Sequence, residues 1–394
     1  MTPDEPFLTD VLAFNLPSPR QTLLLRATLW PDERAAPALK AWSETSDAPT
    51  DELADEFRGG RLLAPLLCRL TGGGQSVDAG LTTYLRIARV REELRLSAYR
   101  RIARQVLAAL GNLDERPLLV RGAALAETVW PGPLLRHSGT IDLLATEHAA
   151  AGTVAALKTA GFVSLGERTT AACENRASIL RHPSGLPVLV HVHPCGRPTL
   201  HHDAAAANVF ERAVEVRCLD VPVRVPSTAD QLVHVIGAAA SGWERSNLLW
   251  VCDAWLLAER LGPGDWEIVA DAVESCGLAL PAHTVLRYLA RELEVEVPGP
   301  VRDRLADRAA QAGRVERETA LADAWAGPGL KLGRALRAAR SWRARGFVLR
   351  WRVAPSIGTL LAEGQIERPS EAVLHYAWRP LRFIGRALFS ERAR

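Results

Sequence analysis

Two spacings of apolar residues run along this chain, and the switch between them divides it. Up to about residue 115 the spacing is helical and broken by turns; "APTDELADEF" offers Thr50 as an N-cap ahead of an acidic first turn. From Leu81 to Leu110 it is sustained. Leu94, Ala98, Ile102 and Val106 recur every four residues among arginines, which predicts one long amphipathic helix. The period then shortens. "RPLLVRG" reads as a strand ending in glycine, "AALAETVW" as a short helix, "SGTIDLLAT" as a second strand, and "EHAAAGTVAALKTAG" as a helix closed by Gly161. "FVSLGE", "RASILRH" and "LPVLVHVHP" are three more strand candidates, the last two joined as a hairpin around "PSG". From Ser227 the helical spacing returns, with "PGP" at 298–300 and "GPG" at 327–329 as punctuation. The pattern therefore predicts a helical region over 1–115, an α/β unit over 116–226, a helical domain over 227–326 and a last helical region over 327–394.

Composition changes this picture little, and charge changes it at one end. With 394 residues, 48% hydrophobic and 24% charged, the chain has the make-up of an ordinary globular protein of more than one packed unit. Its net charge is +3, yet Gly327 to Arg394 holds 14 basic and 4 acidic residues, so the rest of the chain is acidic. In "WRPLRFIGRALF", Leu381, Ile384 and Leu388 share one helical face while Arg379, Arg382 and Arg386 share another. Such a helix suits an anionic surface or a partner protein, and equally suits packing on its own domain with the arginines in solvent. Six cysteines lie far apart with no C-x-x-C pair, which favours reduced thiols and a cytoplasmic setting. The acidic start "MTPDEPFLTD" is unlike a signal peptide, and no apolar run is long enough to predict a transmembrane segment.

The candidate chemistry lies in "RHSGTIDLL", where Asp142 is the one charge inside an apolar strand and Thr140 stands two positions before it. Residues separated by two share a strand face. "LLVRGAALAETVWPGPLLRHSGTIDLLA", then "VLVHVHP", then "DQLVHVIGAAASGWERSNLLWVCDAWLL" together resemble, in order and separation, the uncharacterised nucleotidyltransferase family of the DNA polymerase beta superfamily. The resemblance spans roughly residues 85–260 and implies an α+β fold: a small mixed-sheet nucleotidyltransferase-like core flanked by N- and C-terminal helical regions. It also implies transfer of a nucleotidyl group from an NTP to a small-molecule or peptide acceptor, with Mg²⁺ held by three carboxylates. Arg121, Gly122, Ala123 and Arg136 would cradle the nucleotide, and Asp253 would take the matching acid of the later helix.

At the acid positions this chain departs from the pattern. Thr140 replaces the first acid, Asp142 is kept, and His191 falls at the third if His193 takes the family's histidine. One carboxylate binds hard Mg²⁺ poorly, and imidazole is a poor substitute for an oxygen ligand. Three readings follow. The first is weakened transfer with Thr140, Asp142 and His191 at the centre. The second is a catalytically inactive nucleotide- or peptide-binding regulatory protein. The third is a hydrolase holding Zn²⁺ or Fe²⁺ with Asp142, His191 and His193. Against all three stands a plain alternative, in which Asp142 pairs with a nearby arginine such as Arg121 or Arg136 and the histidines are satisfied by ordinary hydrogen bonds.

Overall fold

The computed structural model describes residues 16–45, 47–54, 63–68, 70, 79–169, 176–192, 208–242, 248–313, 342, 368–371 and 376. The N-terminal helices α1 (Pro19–Leu29), α2 (Asp32–Glu44), α3 (Pro49–Ala54) and α4 (Ala64–Leu67) lead into the long helix α5 (Ala79–Leu110). The first is fixed by a capping box in which Ser18 and Gln21 satisfy each other's backbone amides. Thr50 lies inside α3 rather than capping it, because Pro49 opens that helix with a preset φ and no amide to satisfy.

Next come β1 (Leu118–Val120), α6 (Arg121–Thr128), β2 (Ile141–Leu144), α7 (Glu147–Thr159), β3 (Val163–Thr169), β4 (Arg176–Arg181) and β5 (Pro187–His191). They form a five-stranded mixed sheet in the order β1-β2-β5-β4-β3, in which β2 and β5 run parallel and the other pairs antiparallel. The expected β4–β5 hairpin turns at Gly185, whose φ of 96° suits glycine. A second hairpin, β6 (Val214–Cys218) with β7 (Val221–Val225), was not expected from the pattern. Its turn residues Leu219 and Asp220 both have positive φ, and the usual Asn-Gly signal is absent.

The helices α8 (Thr228–Gly242), α9 (Leu249–Ala258), α10 (Pro263–Ser275), α11 (Ala279–Glu292) and α12 (Gly299–Ala310) follow. They do not form a core of their own. Leu25, Leu39 and Leu67 from the N-terminal helices share one apolar core with Ile236, Leu257, Val285 and Leu305, and Leu125 and Trp130 of the α/β unit enter it too. Across it Thr22 meets the Tyr288 hydroxyl at 2.9 Å and Arg26 pairs with Glu292.

A second core lies between the later half of α5, one face of the sheet and the β6–β7 hairpin; Ile102, Val106, Ile141, Leu143, Val188 and Val190 belong to it. The face of α5 that enters the cores runs through Leu81, Leu85, Glu92, Tyr99, Ile102 and Val106. Leu94 is 72% exposed, and Ala98 is exposed as well. A strict four-residue spacing advances about 40° per step beyond whole turns, so residues 94 to 106 drift across the helix and only the later ones meet the core. Among the described residues no helix is long and apolar enough to cross a membrane. The basic faces expected over 379–388 lie outside the described residues.

Candidate functional site

The alternation that sends Ile141 and Leu143 into the core turns Asp142 and Leu144 to the opposite face of the sheet. Strand pairing then gathers the candidates. Val120 lies opposite Asp142, so the chain leaving β1 delivers Arg121 beside it, and His191 pairs with Leu144 on the same face. Asp142 and His191 are 3% and 6% exposed. His191 Nε2 lies 2.8 Å from Asp142 Oδ1, Arg121 Nη1 lies 3.6 Å from the same oxygen, and the Thr140 hydroxyl donates to Asp142 Oδ2. Burial alone would raise the Asp142 pKa; the His191 hydrogen bond, the Arg121 charge and Thr140 overcome it and hold the carboxyl below its ordinary value. Asp142 is therefore an anion, and His191 Nε2–H donates to it.

Thr140, Asp142, His191 and Arg121 thus converge as the sequence predicts, while Arg136 and Asp253 do not join them. Those two are each other's partners. Arg136 Nε and Nη2 donate to Asp253 Oδ1 and Oδ2 at 3.0 and 2.7 Å, Nη1 donates to the His137 carbonyl, and Trp130 Nε1 donates to Oδ1 at 2.8 Å. Every nitrogen of the Arg136 fork is engaged within the protein, which argues against the phosphate cradle expected of it. An aspartate on an apolar helix needed a buried cation, and Arg136 supplies it.

Gly122 and Ala123 sit in the first turn of α6 at the end of β1. A Cβ on Gly122 would lie 2.8 Å from Ser138 Oγ and 2.9 Å from Arg136 Nη1, so the glycine admits these two side chains. Gly122→Ala should cost about 1–3 kcal/mol by forcing both to move, read as a lower denaturation midpoint; an unchanged midpoint would show that the contact yields freely. Ala123 is buried in the core beneath the sheet. His193 lies outside the described residues.

Sequence reasoning missed a second polar layer. Glu92, 8% exposed on α5, accepts from Arg95 Nε at 2.9 Å and from His137 Nδ1 at 3.0 Å. Arg95 Nη1 also donates to the Ser138 carbonyl at 2.7 Å, and the Tyr99 hydroxyl donates to the Thr140 carbonyl at 3.0 Å. Burial pushes the Glu92 carboxyl up, but the hydrogen bonds from His137 and Arg95 bring it below its usual value. This layer fixes residues 137–140 against α5. Its only sequence signal is the helical phase that sets Glu92 among apolar positions. His234 on α8 is held neutral, its pKa lowered to about 4 first by burial; Asp230 works against this, and the nearby Arg121 and His191 charges add to it.

The donors at Asp142 do not suit a divalent cation. Mg²⁺ prefers near-octahedral oxygen ligation, whereas one carboxylate, one hydroxyl and one imidazole meet here and both carboxylate oxygens already accept from protein donors. Among the described residues no group of three or more His, Cys, Asp or Glu side chains is arranged to hold a metal ion. A family model described as an uncharacterised nucleotidyltransferase matches residues 46–294, which takes in the sheet, the Asp142 cluster and most of the helical core. No curated protein matches the chain.

Proposed function

Because the chain belongs to the uncharacterised nucleotidyltransferase family, we propose that it is a nucleotidyltransferase-like protein that binds a phosphorylated ligand, a nucleotide above all, and has given up metal-dependent transfer. One observation carries this reading: both oxygens of the acid kept at the family's metal positions accept hydrogen bonds inside the protein, Oδ1 from His191 and Oδ2 from Thr140. A binding or regulatory role follows, and the buried thiols of Cys218 and Cys252, outside any disulfide among the described residues, support a cytoplasmic place for it.

The test is incubation with labelled NTPs, Mg²⁺ or Mn²⁺ and a panel of small-molecule and peptide acceptors, alongside calorimetric titration with ATP and GTP. Nucleotide binding with no label transferred is expected. Transfer that Asp142→Asn abolishes would instead restore the transferase reading with an acceptor from a biosynthetic pathway. The Asp142, His191 and His193 hydrolase would reveal itself as stoichiometric Zn²⁺ or Fe²⁺ in the purified protein.

A further inference from the structure

The position that matters most is Arg121, at the junction of β1 and α6. Its φ is 57°, the left-handed region, which costs a residue with a Cβ about 1–2 kcal/mol. Glycine would adopt that conformation freely, so the chain keeps an arginine there against its backbone preference. The side chain is not there to fill a core, being 38% exposed. Its charge pairs with Asp142, but its donors are not tied up there: among the described residues that ion pair is 3.6 Å long, too long for a hydrogen bond, and Asp142 already accepts from His191 and Thr140. Among the described residues, the partly exposed guanidinium therefore keeps donors for a ligand beside the cluster. Beside it, the buried Ser138 hydroxyl packs over Gly122, and His234 Nε2 is buried without a hydrogen-bond partner among the described residues.

We infer that Arg121 takes the place of the divalent cations, so that this cluster binds the diphosphate group of its ligand without metal. The inference rests on the phosphorylated-ligand reading above and specifies how that ligand is held. A guanidinium fork matches phosphate oxygens in geometry and stays charged at any working pH. It carries one charge where two metal ions carry four, so it suits retention of a phosphate and not the charge build-up of phosphoryl transfer. Chelation by Mg²⁺ neutralises the phosphate oxygens Arg121 would meet, so the metal should weaken binding.

The experiment is calorimetric titration of the full chain with ATP and with inorganic pyrophosphate, first in EDTA and then with excess Mg²⁺. Binding of both in EDTA, no tighter with Mg²⁺, is expected. Arg121→Gln should weaken it roughly tenfold or more, the usual scale for a charge-assisted contact. Arg121→Gly, which suits the left-handed backbone, should lose binding equally, because binding follows the guanidinium and not the backbone conformation. Binding that needs Mg²⁺, or affinity unchanged in Arg121→Gln, overturns the inference and leaves the nucleotide-binding reading intact. Absence of binding under both conditions overturns both.

Discussion

Asp253→Ala should be the most damaging single substitution in the molecule, lowering the free energy of unfolding by about 3–5 kcal/mol. Asp253 lies on α9 with 2% exposure and balances Arg136, whose side chain is 15% exposed. Burial would lower the Arg136 pKa, and the Asp253 charge and hydrogen bonds reverse this and raise it. Removing the carboxylate strands a buried guanidinium and leaves the Trp130 N–H without its acceptor. The damage should spread, because Arg136 begins the segment whose residues 137–140 carry Ser138 and Thr140 into the site. Replacing both partners at once, as Arg136→Met with Asp253→Leu, should recover much of the loss, since apolar side chains of similar volume remove both charges together. Denaturant midpoints of the wild type, the single and the double variants check this. A loss below about 1 kcal/mol in Asp253→Ala would mean that water reaches the pair.

Much of this architecture is legible in the sequence because its signals are local. The strands of the sheet, the β4–β5 turn and the helices after Ser227 follow from spacing and from Gly and Pro positions. The convergence of Thr140, Asp142 and His191 follows from period two along a strand plus one parallel pairing. What escaped depends on long-range partners. Asp253 and Arg136 are 117 residues apart, and nothing local says which arginine an aspartate on an apolar helix will choose. The β6–β7 hairpin escaped because its turn pays for two positive φ values with Leu219 and Asp220, neither announced by glycine. Glu92 escaped because on an arginine-rich helix a carboxylate looks like surface charge, and only the fold reveals that His137 and Arg95 close over it. The merging of the N-terminal helices with α8–α12 into one core is likewise invisible to pattern, since each amphipathic face fits any apolar neighbour.

Asp142→Asn should destabilise the protein, and the sign carries the argument. In a site built to hold metals, acids crowd together without counterions, so neutralising one relieves repulsion and stabilises the metal-free protein. At this site the acid faces a donor set: His191 Nε2, the Thr140 hydroxyl and the Arg121 guanidinium. Asparagine would weaken the His191 bond and leave Arg121 uncompensated, costing about 1–3 kcal/mol near neutral pH. The same pairing fixes the pH dependence. Since the Asp142 pKa is depressed in the folded protein, its contribution is full above the unfolded carboxyl value of about 3.9 and is lost as pH falls through the folded pKa. The gap between wild type and Asp142→Asn, measured as unfolding free energy from pH 7 downward, should therefore stay wide to about pH 4 and close below it. A variant more stable than the wild type at pH 7 would reveal an uncompensated acid, and with it a centre still poised for a cation.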